Sequence, residues 1–258
     1  MIILIAESKT MASELKPVSD SVYREHKPIY EDIADIVMNS LEDDSVDELS
    51  ESIKISIKMA RDVKRMVYEF SNKSAGLPAI GSFTGVVFRQ LHLNEYTPEQ
   101  AAFISRNVRI ISSLYGWLRP DDIIKTYRFD FDTKLAPGGI SFKKFWKKDV
   151  TIALVKMIEA TGEKEILNLL PADASACIDW KLVKRFADMI KVEFKEPSGP
   201  DTMKTPNAGR LKELRGRLLD QIIKEGITDS RQLQSLSSPH YEGLGELTHP
   251  GYFYFLTT

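Results

Sequence analysis

The residues Ile2, Ile3, Leu4, Ile5 and Ala6 form an uninterrupted apolar, largely β-branched run that stops abruptly at Glu7-Ser8-Lys9-Thr10. A strand with one wet face alternates apolar and polar residues, whereas a strand covered on both faces does not need to. The first strand is therefore predicted to be fully buried and to open directly onto a polar loop. Further strands are predicted at 79–87, 108–113, 127–131, 165–170, 189–194 and 252–256. Helices are predicted between them, at 53–70, 97–107, 142–160, 173–187 and 207–224. Thr97-Pro98-Glu99-Gln100 has the form of a capping box with proline at the first helical position, and Gly162 supplies a helix stop. This interleaving predicts a mixed α/β domain spanning 1–258, with a central sheet.

Several function classes lose support at once. No stretch has the length of apolar sequence needed to cross a membrane, and Met1 to Ala6 lacks the basic start of a signal peptide, so no membrane partner is expected and a cytoplasmic location is. Cys177 is the one cysteine, which leaves no internal disulfide and no CxxC pair. His26, His92, His240 and His249 have no zinc-ligand spacing, and neither GxGxxG nor GxxxxGK[ST] occurs, so no metal or other cofactor is called for. The sequence says nothing of oligomeric state.

Charge is unevenly distributed. The net charge is −2, yet 31–51 carries nine acids and no Lys or Arg, so the remainder sums to +7. Within that remainder the helix at 53–70 has a stripe of Lys54, Lys58, Arg61 and Arg65 opposite its apolar positions, either a solvated face or a phosphate track. The helix at 207–224 places Arg215 inside the apolar arc of Leu211, Leu218 and Leu219, where a guanidinium needs a carboxylate or a bound anion. Arg210, Arg217 and Lys224 fit an ordinary exposed face. Lys9, just beyond the first strand, stands where open α/β sheets place ligand contacts.

Three further motifs could carry chemistry. Leu114 to Asp122, followed by Tyr127-Arg128-Phe129-Asp130, brings Arg119, Tyr127 and Arg128 close in sequence to Asp121, Asp122 and Asp130, a mixture suited to clamping an anion or to an internal ion-pair network. Phe142 to Lys148 interleaves aromatics with lysines. The helix ending at Glu225, then Gly226-Ile227-Thr228 and a second short helix, has the form of a helix-hairpin-helix over about 207–237, which can offer backbone amides to phosphates.

The opening strand with Ser8-Lys9-Thr10, the segment Leu114-Tyr115-Gly116-Trp117-Leu118-Arg119-Pro120-Asp121-Asp122, Tyr127-Arg128, Phe145-Trp146, Asn168-Leu169, Lys212 to Gly216 and Gly251-Tyr252-Phe253 together resemble the YaaA family of bacterial peroxide-stress proteins. That resemblance implies a fold of the family's own type, with a helix-hairpin-helix and a positively charged cleft. It also implies sequence-independent binding of DNA, with distorted duplex preferred, and a part in limiting iron-driven oxidative damage. Lys9, Arg119, Asp122, Tyr127, Arg128, Lys212 and Arg215 match family positions and would line or support the cleft. With Lys58, Arg210 and Arg217 added for phosphate contact, Lys9, Asp122 and Tyr127 are the candidates should the cleft be catalytic on damaged DNA or a nucleotide. The chain departs from the family at Glu7, where proline is usual, at Phe129-Asp130-Phe131 and at Leu170-Pro171.

Overall fold

A computed structural model describes residues 1–12, 26–72, 75–200, 202–243 and 252–257; His249 and Gly251 lie outside them. The strands are β1 (Ile2–Ala6), β2 (Leu77–Pro78), β3 (Val108–Ser112), β4 (Gly116–Leu118), β5 (Ile123–Ile124), β6 (Glu165–Asn168), β7 (Asp188–Gly199), β8 (Thr202–Lys204), β9 (Ser237–Ser238), β10 (Tyr241–Gly243) and β11 (Tyr252–Thr257). The helices are α1 (Glu31–Asn39), α2 (Val46–Ile53), α3 (Ile57–Asn72), α4 (Ala79–Ser82), α5 (Pro98–Asn107), α6 (Phe142–Phe145), α7 (Lys147–Thr161), α8 (Ala172–Ser175), α9 (Trp180–Val183) and α10 (Ala208–Glu225).

One mixed sheet runs in the order β4-β3-β1-β6-β7-β11-β10-β9, with β8 folded back on β7. Its centre is parallel: β1 pairs with β3 on one side and β6 on the other, and β6 continues to β7 and β11. The outer pairings β3·β4, β10·β11 and β9·β10 are antiparallel. Because β1 has neighbours on both edges and cover on both faces, Ile2, Ile3 and Leu4 have no exposed surface and Ile5 has only 2%. Burying each contributes about 1.5–3 kcal/mol. The chain leaves β1 for β3 on one side and later returns to β6 on the other, so the crevice beyond the carboxyl end of β1 is where such a sheet leaves room for a ligand.

Local signals predict several elements well. Thr97 accepts from the Gln100 amide and Gln100 returns a bond to Thr97, completing the capping box of α5. Gly162 adopts φ +70° and ends α7. Asn207 caps α10 by accepting from the Arg210 amide.

Other expectations are corrected. Residues 127–131 form no strand, and both edges of β1 are taken by β3 and β6. Their alternation survives: Tyr127, Phe129 and Phe131 are buried, while Arg128 and Asp130 are partly exposed. At 79–87 the chain makes the single turn of α4, where the Ala79 and Ile80 amides donate to the Asp122 and Pro120 carbonyls, and then a loop. The helix expected at 142–160 is divided at Trp146, which is fully buried and donates through Nε1 to the Ser113 carbonyl at 2.7 Å. The helix expected at 173–187 is likewise divided, since Asp179 accepts from the Lys181 and Leu182 amides and starts α9 afresh.

The helix-hairpin-helix is not confirmed. After α10 and Gly226, the second arm is a short 3-10 segment, Ser230–Ser235, rather than an α-helix. Its first amides are occupied: Asp229 accepts from the Arg231 amide, and Glu165 accepts from both the amide and the hydroxyl of Ser230. Those amides are therefore already spent on protein acceptors and do not face a phosphate.

Candidate functional site

Beyond the carboxyl ends of β1 and β6 lies a cleft of about 500 Å3. Residues 5–10 at the end of β1 form one wall and the loop 84–89 another, while Phe129, Asp130 and Phe131 close a third side. Leu169, Pro171 and Asp173 follow from β6, and α10 contributes Lys212 and Arg215. Two close approaches hold these walls together. The Gly85 amide donates to Ser8 Oγ at 3.0 Å, and a Cβ on Gly85 would lie 2.4 Å from that of Ser8. Gly216 lies so near the loop that a Cβ there would stand 2.5 Å from the Val87 carbonyl oxygen.

Among the described residues four cations line the cleft: Lys9, Arg89, Lys212 and Arg215. Lys9 is ion-paired with Asp130, both being substantially exposed. Lys212 is exposed one turn from Arg215. Arg215 differs from them. It is half-buried, its desolvation lowers the pKa of the guanidinium, Asp173 opposes that shift only from a distance, and among the described residues it forms no ion pair. A partly desolvated guanidinium without a bonded carboxylate is the form of a site that takes an anion.

Glu7 forms part of the floor of the cleft. Its Oε2 accepts from the Ser113 amide at 2.9 Å and from the Tyr127 hydroxyl, and Tyr127 is also bonded to Ser112 Oγ at 2.7 Å. Burial outweighs these bonds and pushes the carboxyl from 4.5 up to about 7. Burial and the nearby Glu7 carboxyl hold the Tyr127 phenol well above its ordinary value. Tyr127 thus supports the cleft from behind Glu7. Glu7 pairs with Tyr127 and Ser113 rather than with Lys9, whose carboxylate partner is Asp130.

The remaining candidates lie elsewhere. Arg119 binds Asp121 through two nitrogens, at 3.0 and 3.3 Å, and Asp121 also accepts from Ser105 Oγ at 3.0 Å. Asp122 Oδ2 accepts from the Arg119 amide at 2.8 Å, while its buried Oδ1 has no partner among the described residues. Burial pushes Asp122 up to about 7, and burial beside Arg119 brings Arg109 down to about 10. This is an internal ion-pair network, and none of these side chains lines the cleft. Arg128 donates to the Lys9 carbonyl at 2.8 Å, holding the loop rather than entering the cavity. Arg210 and Arg217 share the Glu213 carboxylate at 3.0 and 2.9 Å. Lys58 is exposed on α3, away from the cleft-lining residues. The acidic helices α1 and α2 pack on α3, where Arg65 pairs with Asp62 and Lys64 donates to the Glu42 and Asp44 carbonyls.

Among the described residues no group of three or more His, Cys, Asp or Glu side chains is placed to hold a metal ion, and no helix is long and apolar enough to cross a membrane.

A family profile described as peroxide stress protein YaaA matches residues 1–244. The chain belongs to the YaaA peroxide stress family. Relatives within it carry the name UPF0246 protein. One from Parabacteroides distasonis is 31% identical over 245 residues, 92% of each chain. One from Clostridium perfringens is 30% identical over 246 residues, 94% of each chain, and one from Phocaeicola vulgatus is 34% identical over 193 residues, 74% of each chain. Within this YaaA-family chain, Arg89 and Asp173 are site residues that sequence reasoning missed. Arg89 lies just beyond the strand expected at 79–87, in a stretch assigned to no element, and Asp173 opens one that read as an unbroken helix.

Proposed function

We propose that this protein acts in the peroxide stress response by binding DNA independently of sequence, with the sugar-phosphate backbone held at the cleft by Lys9, Arg89, Lys212 and Arg215, and that this limits iron-driven oxidative damage. The observation that carries the reading is Arg215, a half-buried cation without a bonded carboxylate among the described residues, lining a concavity to which three more cations contribute. Phosphate neutralisation releases counterions, and each contact adds just under one to the salt slope of binding. Four contacts give a log-log slope of about −3 to −4. The hairpin after α10 has no part in this reading, because none of its residues lines the cleft.

Fluorescence anisotropy across a salt series, with intact and bubbled duplex, tests it. A salt-independent signal, or none with either DNA, removes the reading.

Glu7 favours a second reading, an enzyme acting on damaged DNA or a nucleotide. A cleft carboxyl near 7 is suited to proton transfer at neutral pH. Lys9 suits a Schiff base less well, since its ammonium is engaged by Asp130. Borohydride trapping on abasic-site DNA separates the two: an adduct lost in Lys9→Ala favours the enzyme, and its absence with binding intact favours the passive protein.

A further inference from the structure

The cleft is graded from rim to floor. Lys9 and Lys212 are exposed, Arg215 is half-buried, and Phe88, Phe129 and Phe131, which also line the cleft, belong to the core and present 5% of their surface or less. A cationic rim above a phenylalanine-lined interior matches a phosphate joined to a flat heterocycle. At about 500 Å3 the space is of small-ligand size and far too small for a duplex. Proteins that take a nucleotide out of the stack hold its base between apolar or aromatic side chains and read its edge by hydrogen bonds.

The hydrogen bonds beneath Glu7 have a fixed direction. The Tyr115 amide donates to Ser112 Oγ at 2.9 Å, so the Ser112 hydroxyl hydrogen is free to go to Tyr127, whose own hydrogen goes to Glu7 Oε2. The Ser113 amide donates to the same oxygen. Oε2 is thus committed to the protein, and Oε1 accepts neither of these two bonds.

We propose that the cleft receives one unpaired nucleotide of a DNA strand, with its phosphate at Arg215 and Lys212 and the edge of its base on Glu7 Oε1, against Phe88, Phe129 and Phe131. This rests on the DNA-binding reading and adds to it the ligand unit and the residue that reads it. With two donors already on Oε2, a proton on the carboxyl sits on Oε1. Oε1 then donates in the neutral form and accepts in the ionised form. The neutral form complements the bare N3 of cytosine, and the ionised form the N3–H of thymine.

Because burial brings this carboxyl to about 7, both forms are present at neutral pH. The other titratable groups around it are Tyr127, held well above its ordinary value, and Cys177, pushed up to about 12. Arg215, Lys9, Arg89, Lys212, Asp130 and Asp173 are the remaining charges on the cleft among the described residues.

The test uses the full chain and duplexes carrying one unpaired cytosine, one unpaired thymine or none, by anisotropy at pH 6 and pH 8. Either unpaired duplex is expected to bind more tightly than the fully paired one. The cytosine-to-thymine affinity ratio, in which phosphate electrostatics cancel, is expected to rise about fivefold from pH 8 to pH 6. Glu7→Gln should bind with a ratio that does not change with pH. Tyr127→Phe removes a donor from Oε2 and should move the change in ratio to higher pH, which keeps the test open if Glu7→Gln does not fold.

Equal binding of paired and unpaired duplex, or a pH-independent ratio in the native protein, overturns the inference while leaving DNA binding intact. Free deoxycytidine monophosphate that competes as strongly as the unpaired duplex overturns the assignment to DNA. Absence of any DNA binding overturns the underlying reading instead.

Discussion

The cleft beyond β1 and the network beyond β4 are built from the same chemistry, yet the side chains of only the first line the cavity. Each contains arginines, aspartates and a carboxyl that burial holds near 7, Glu7 in the cleft and Asp122 in the network. In the network Arg119 closes on Asp121 with a two-pronged contact, and Ser105 takes a further position on that carboxylate. In the cleft Arg215 has Asp173 nearby but not bonded, and α10 holds it beside a cavity. The two regions therefore differ in whether the arginine is already bonded to a carboxylate, rather than in which residues are present.

Removing charge from each region sharpens the comparison. The largest effect is expected for Arg119→Ala, which leaves buried Asp121 with only Ser105 and His26 beside it among the described residues and should cost on the order of 3 kcal/mol of stability by denaturant unfolding. DNA affinity of the folded fraction should be unchanged. A loss of affinity without loss of stability would break the distinction.

The two raised carboxyls come next. Each binds its proton more tightly in the folded chain than in the unfolded one, so its cost is absent below the unfolded value, 3.8 for Asp122 and 4.5 for Glu7, and complete above about 7. Asp122→Asn should stabilise the protein by on the order of 3 kcal/mol at pH 8 and by little at pH 4. Glu7→Gln should act in the same direction but less, because its site is open to the cleft. Thermal unfolding across that pH range would show both slopes.

Arg215→Ala follows, with DNA affinity about tenfold weaker, or about 1.4 kcal/mol, and little loss of stability. Arg210→Ala is the smallest: Arg210 shares Glu213 with Arg217, so stability should stay within about 0.5 kcal/mol and affinity should not change. If Arg210→Ala weakened binding as much as Arg215→Ala, the anion would lie along the face of α10 rather than in the cleft.

Features governed by neighbouring residues were legible in the sequence. The unbroken apolar run of β1 signalled two covered faces, and the Thr97 and Gly162 caps act within a single turn. Arg215 stood out because helical spacing alone put a guanidinium into an apolar arc. Features governed by distant partners were not legible. The alternation at 127–131 correctly separated inward from outward residues, but a strand needs a partner from elsewhere in the chain, and β3 and β6 occupy both edges of β1. Arg119 and Arg128 look alike in sequence, yet one closes on Asp121 and the other grips the carbonyl of Lys9. Glu7 was visible as an added acid, but its partner is fixed by Tyr127 arriving from 120 residues away.

The contact between Gly216 and the Val87 carbonyl gives one missing carbon the role of a calliper. Since α10 can settle against the loop only because nothing projects there, the jaw that carries Arg215 is set from the back of the helix, outside the cleft itself. Gly216→Ala would push the helix outward and widen the gap between Arg215 and Arg89, detuning the grip on an anion while leaving every cation in place.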